Sequence, residues 1–138
     1  MDQQEILDAL AGLALFSDLD RPQLQAVAHT MSEESFSSGQ RILRQGFSGA
    51  GFFIVLEGEV VVRVDGGDVA RLGKGDFFGE ISLLLGEPPI ADVVANVPVT
   101  ALQLAGPDLR EFLLAYPAVM YRMLQSVSRR LDRANRRS

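Results

Sequence analysis

The sequence predicts an α+β fold, mainly β: an antiparallel β-roll of the jelly-roll or double-stranded β-helix kind, with helices before it and one long helix after it. Two observations carry this. Between residues 32 and 105, short runs rich in Val, Ile and Phe alternate with glycine turns every 7–12 residues, with no helical period between them. On both sides of that stretch, apolar residues return at helical spacing. The length of 138 residues suits one domain, 1–138, divided into N-terminal helices (1–31), the roll (32–105) and C-terminal helices (107–138).

The elements follow in order. Ile6, Leu7, Leu10, Leu13 and Ala14 recur at helical spacing. Asp20 is a candidate N-cap, with Pro22 just inside the next helix and Gln23 three positions after the cap. Leu24, Val27, Ala28 and Met31 supply that helix's apolar stripe. The lone His29 lies beside the stripe, with no second His and no Cys in the chain to share a metal. Strands are expected near 32–37, 41–45, 51–57, 59–64, 69–72, 92–96 and 99–104. The turn at Asp65-Gly66-Gly67-Asp68 is too short for a calcium loop and reads as a hairpin. Glu57 and Glu59 flank Gly58 at a strand corner and read as a solvated turn.

After Gly106-Pro107 the helical period resumes through Leu109, Phe112, Leu113 and Tyr116, and Pro117 opens a final helix. Met120, Leu124, Val127, Leu131 and Ala134 are spaced 4, 3, 4 and 3 along it. Two heptads fit either a helix lying on its own roll or a homodimer seam through the C-terminal helix. Arg122, Arg129, Arg133 and Arg136 follow one edge of the same helix, where late arginines suit its negative end.

Composition narrows the function. Apolar residues at 47% and charged residues at 22% exclude disorder as the default state. No apolar run approaches the ~18–20 residues of a membrane span. The acidic start Met-Asp-Gln-Gln-Glu is no signal peptide, so the cytoplasm is the expected compartment. The absence of Cys excludes disulfides and thiolate metal sites. A net charge of −5 conceals −10 over residues 1–121 and +5 over 122–138. No Ser-His-Asp set, metal cluster or Walker loop is present, so an enzyme is not expected.

One stretch stands apart, Gly75-Asp76-Phe77-Phe78-Gly79-Glu80-Ile81-Ser82-Leu83-Leu84-Leu85-Gly86-Glu87-Pro88-Pro89-Ile90-Ala91. It reads as a turn, a strand end, a glycine opening a short helix, and a proline-marked exit into another strand. Free backbone N–H groups after such a glycine can cradle an anion, and a carboxylate there can accept from sugar hydroxyls.

This stretch resembles the phosphate-binding cassette of cyclic-nucleotide-binding domains, the sensor fold of catabolite activator proteins, cAMP-dependent kinase regulatory subunits and nucleotide-gated channels. Gly46, Phe53-Ile54-Val55-Leu56-Glu57-Gly58-Glu59-Val60 and Leu72-Gly73-Lys74-Gly75-Asp76-Phe77-Phe78-Gly79-Glu80 extend the similarity over nearly the whole chain. The resemblance implies a non-enzymatic regulatory module with a cassette over 78–91 and cAMP or cGMP as the possible ligand. Gly79, Glu80 and Ser82 would then hold ribose and phosphate, with Phe78, Ile81 and Ala91 beside them and Asn135 at a base edge. The family's cassette carries an Arg that grips the cyclic phosphate. Here Pro89 stands in that place and Ile90 replaces the usual Ser, Thr or Ala. Losing that bidentate contact implies weak or altered nucleotide binding, unless Arg63 or Arg71 reaches in. The alternatives are a ligand-free dimerisation or docking scaffold, or the sensor half of a transcription regulator. No recognition helix follows within these residues, so direct DNA binding by this chain is not expected.

Overall fold

The computed structural model describes residues 1–47 and 51–137. Helix α1 (Gln3–Ala11) starts with a capping box: the Asp2 carboxylate accepts from the Glu5 N–H at 2.8 Å, and the Glu5 carboxylate accepts from the Asp2 N–H at 3.3 Å. Helix α2 (Arg21–Thr30) starts the same way on Asp20 and Gln23, at 2.9 and 3.0 Å. The apolar spacing suggests one helix running through Ala14, but α1 stops at Ala11. Gly12 caps it, and a separate 3-10 turn, Ala14–Phe16, buries Leu15 and Phe16.

Eight strands form the roll: β1 (Ser32–Phe36), β2 (Arg41–Leu43), β3 (Gly51–Glu57), β4 (Val60–Val64), β5 (Gly67–Leu72), β6 (Phe77–Phe78), β7 (Asp92–Ala95) and β8 (Val99–Ala105). They make two antiparallel four-stranded sheets, ordered β1-β8-β3-β6 and β2-β7-β4-β5. Helix α3 (Glu80–Leu85) sits between β6 and β7, and α4 (Leu109–Ala115) and α5 (Pro117–Arg137) close the chain. The α+β class and the roll are as expected, although more residues lie in helices than in strands because α5 alone runs 21 residues. Strand β5 begins two residues earlier than its apolar run suggests. Asp65 and Gly66, at φ 52° and 82°, make the tight turn that lets Gly67 pair with Val64.

Strand β3 is buried from Gly51 to Leu56 because it has a core on each face. Phe52, Ile54 and Leu56 point to the helices, meeting Leu10, Phe16, Val27, Phe112 and Met123. Phe53 and Val55 point between the sheets, meeting Val60, Phe78, Val93 and Ala101. The two faces alternate residue by residue, as the pleat requires. Burial of each large side chain contributes ~1.5–3 kcal/mol. Short β6 shares both cores, since Phe77 faces the helices and Phe78 the second sheet.

Where β6 ends, Gly79 takes φ 94°, and a Cβ there would run into the Gly51 carbonyl oxygen. Only glycine lets the chain pass this close to β3 and turn into α3. Gly66 has a similar φ, yet a Cβ there would meet nothing within 4 Å. Gly66→Ala is therefore expected to cost about 1 kcal/mol of left-handed strain. Gly79→Ala should cost at least about 2 kcal/mol more, as backbone strain and backbone collision combine. Urea denaturation midpoints of the two variants measure the difference.

Candidate functional site

The segment from β6 to β7 folds into a cleft against the second sheet. After α3, Gly86 caps the helix with its N–H on the Ser82 carbonyl, and the Glu87 N–H reaches the same oxygen at 3.0 Å. The chain then runs through Pro88 and Pro89, where the Pro89 carbonyl accepts from the Gly46 N–H at 2.9 Å. The resulting cleft is open to solvent and offers about 100 Å³ of interior room. Leu43, Val62, Leu72 and Val93 form its floor, and Phe78–Ser82 and Pro89–Ala91 form its walls. Arg130 of α5 lies across one side.

Nearly all of this lining is apolar, so its few polar groups define the chemistry. Glu80, at the head of α3, is only 4% exposed, and Ser82 is 7% exposed. Glu80 Oε1 accepts from Arg130 Nη1 at 3.2 Å. Arg130 Nη2 donates to the Phe77 carbonyl at 2.7 Å, and the guanidinium carbon lies 4.4 Å from the centre of the Phe77 ring. One arginine thus binds the carboxylate, the β6 backbone and an aromatic face together. Glu80 Oε2 is buried with no hydrogen-bond partner in the protein. Burial pushes the Glu80 carboxyl above its ordinary 4.5, against the opposing pull of its own backbone N–H and of the Arg130 charge. A buried acceptor left unpaired costs about 1–3 kcal/mol, which a ligand hydroxyl would recover.

The structure brings Phe78, Gly79, Glu80, Ile81, Ser82, Pro89, Ile90 and Ala91 together around this one cleft. Asn135 does not join them. It is exposed on α5, five residues beyond Arg130, past the point where the helix leaves the cleft. Arg63 and Arg71 do not reach in either, because each is held by a closer carboxylate: Asp68 at 2.7 Å and Glu59 at 3.0 Å. Sequence reasoning missed Arg130, which looks like one more solvated arginine of the basic end. The signal was indirect: a Glu inside an apolar motif needs a cation, but nothing local says which of several arginines supplies it.

The row of apolar residues along α5 divides. Val119 and Met123 are buried and Val127 packs against the helical core, so α5 lies on its own fold. Met120, Leu124 and Leu131 remain 39%, 59% and 61% exposed. Among the described residues, no group of three or more His, Cys, Asp and Glu could hold a metal ion. No described helix is long and apolar enough to cross a membrane.

The burial of Glu80 has a pH signature, which the Arg130 charge opposes. Because the folded state favours the protonated Glu80 carboxyl, its contribution to stability is full below pH 4.5 and is lost as pH rises through the raised folded value. Glu80→Gln does not titrate, so its stability relative to wild type should climb between pH 4 and pH 8. At neutral pH, Arg130→Met should cost about 1–3 kcal/mol by stranding the carboxylate. A double-mutant cycle with Glu80→Gln, read by urea denaturation, should return a coupling of about 1–3 kcal/mol.

The sequence profile of the family described as "Cyclic nucleotide-binding domain" matches residues 33–116. A cGMP-dependent protein kinase of Caenorhabditis briggsae is 34% identical over 100 residues, which are 68% of this chain and 13% of the kinase. Two solved structures of regulatory subunits of cAMP-independent protein kinase A are also similar. One, from Trypanosoma cruzi and bound to guanosine, is 27% identical, with a TM-score of 0.76 over 91% of this chain and 46% of that one. The other, a Trypanosoma brucei triple mutant bound to cAMP in the A site, is 30% identical, with a TM-score of 0.76 over 90% of this chain and 46% of that one. The present chain therefore spans less than half of each of these relatives. With its profile match over more than half the sequence, and its roll, cassette and closing helix in the corresponding order, this chain belongs to the cyclic nucleotide-binding domain family.

Proposed function

We propose that this chain is a non-enzymatic, cytoplasmic sensor module whose cleft takes a nucleotide-class small ligand, with weakened affinity for a cyclic phosphate, and whose helix α5 reports occupancy. The observation that carries this reading is Glu80: it is buried at the head of α3 with one oxygen on Arg130 and the other unpartnered. A ligand hydroxyl on the free oxygen would change the carboxylate to which α5 is tied. Ligand and helix position would then be coupled, to the extent that the ligand binds the docked and undocked states differently. The effector served by such a report would lie in a longer protein; the matched cGMP-dependent kinase is several times the length of this chain.

Weak cyclic-phosphate binding follows from Pro89. It offers neither a guanidinium nor a backbone N–H, and Ile90 offers no hydroxyl. In the trypanosomal comparison, the variant of a cAMP-independent subunit that holds cAMP has gained an arginine among its three substitutions. A charge-assisted hydrogen bond contributes ~1.5–3 kcal/mol, so one or both arms of a restored fork should raise affinity about ten- to a thousandfold. Calorimetric titration of wild type and Pro89→Arg with cAMP and cGMP is expected to show that gain. Micromolar or tighter binding by wild type, or no gain in the variant, would overturn the assignment of Pro89 as the determinant.

A second reading, a dimerising scaffold, is favoured by the uncovered residues Met120, Leu124 and Leu131. They recur on one side of α5, and a second copy could cover them. Sedimentation is expected to show a dimer that Leu124→Glu converts to monomer, whereas an unchanged mass in the variant removes the seam.

A further inference from the structure

We infer that the chain carries a further small-molecule site, away from the cassette cleft, which takes the phosphate group of a small phosphate ester. Where the 3-10 turn Ala14–Phe16 and the turn from β5 to β6 approach helix α5, they leave an open pocket. Its volume is about 400 Å³, against about 100 Å³ for the cassette cleft. That room falls within the ~300–1,000 Å³ range of small-ligand pockets. Consecutive residues divide between the two places: Phe77 and Arg129 line this pocket, whereas Phe78 and Arg130 line the cleft. The two share no described lining residue, so this site does not rest on the sensor reading.

The pocket is opposite in charge to the body around it. Residues 1–121 carry a net charge of −10, yet Lys74, Arg122 and Arg129 line this pocket against one carboxylate, Asp76. Asp76 already accepts from the Gly73 N–H at 2.9 Å, and Arg122 is held by Asp18 at 2.8 and 3.1 Å. Lys74 and Arg129 are uncommitted. Neither has a hydrogen bond, ion pair or ring contact among the described residues, whereas Arg41, Arg63 and Arg71 of the roll each face a carboxylate. Half-buried Gln125 and Ser126 add an amide and a hydroxyl, and these side chains also lack a partner among the described residues. The donors are thus a guanidinium fork, an ammonium, an amide and a hydroxyl. A carboxylate brings two oxygens to such a set. A phosphate monoester brings three terminal oxygens and nearly two negative charges, and it fits the fork bidentately. Carboxylates elsewhere on the body repel it weakly, because physiological salt screens exposed charges beyond ~8 Å. Leu13, Leu15 and Phe77 back the pocket with apolar surface for the remainder of the ligand.

The test titrates the wild-type chain with glucose 6-phosphate, inorganic phosphate and glucose, read by calorimetry and thermal shift at an ionic strength held constant with sodium chloride. Glucose 6-phosphate is expected to bind with a Kd of about 1 mM or tighter, as two or three charge-assisted contacts imply. Inorganic phosphate should bind more weakly than the ester, and glucose not at all. The double variant Lys74→Gln/Arg129→Gln should bind the ester at least tenfold more weakly. Arg110→Gln, which removes an exposed arginine outside the pocket, should leave its affinity unchanged. Both substituted side chains of the double variant are exposed and unpartnered among the described residues, so its melting temperature without phosphate should match wild type. No phosphate-dependent signal in wild type overturns the inference, and so does glucose binding as well as its phosphate. Tighter binding of inorganic phosphate than of the ester overturns the ester assignment. An unchanged affinity in the double variant, or an equal loss in Arg110→Gln, puts the anion elsewhere on the surface and overturns the site. The three wild-type titrations decide by themselves if the double variant fails to fold.

Discussion

Arg130 ties helix α5 to the start of α3 and to strand β6 at one point. Its guanidinium meets the Glu80 carboxylate at the start of α3, the backbone carbonyl of Phe77 in β6 and the face of the Phe77 ring. Residues 50 and 53 positions apart in sequence are thereby held within hydrogen-bonding distance. A buried ion pair is poor value as stabilisation alone, because desolvation offsets much of its attraction. Its consequence here is positional. Remove the arginine and a carboxylate is stranded in an apolar cleft, so the register of α5 and the state of Glu80 depend on each other.

That dependence holds only because the cassette is rigidly placed. Strand β3 is buried on both faces, and β6 is clamped beside it with Phe77 in one core and Phe78 in the other. The stacked rings of Phe53 and Phe78, 5.0 Å apart, fix the inner face of this strand pair. Gly79 then allows the backbone to pass against Gly51 with no side chain between them. The carboxylate of the next residue is turned inward at a point set by the roll, while the arginine that meets it arrives on a separate helix. One partner is part of the frame and the other is carried on α5.

In the reading proposed for the cleft, Gly79 and Glu80 hold the family's cassette positions and Pro89, next to Ile90, holds that of its phosphate-gripping arginine. The neighbouring arginines do not compensate. Arg63 and Arg71 are on the sheet that floors the cleft, yet acidic residues on the same sheet and its turns engage them first. In a body this acidic, a cation seldom lacks a nearer carboxylate, and Arg130 reaches the cleft because α5 carries it there.

Much of the fold was legible in the residues because its signals are local. The box from Asp20 to Gln23, the turn at Asp65-Gly66, the spacing of the strands and the glycine before α3 each act within a few residues, and each stands near where the sequence places it. Much of the cleft lining was legible for the same reason, since its walls come from two short runs, Phe78–Ser82 and Pro89–Ala91. Three matters were decided only by tertiary structure: which arginine meets Glu80, which arginines are already engaged, and how far along α5 the cleft extends. Asn135 falls outside it and Arg130 inside. The reason is geometric. Periodicity and turn chemistry are set by neighbours along the chain, whereas the pairing of Arg130 with Glu80 depends on where a 21-residue helix crosses a two-residue strand, which is settled by the packing of the whole roll beneath them.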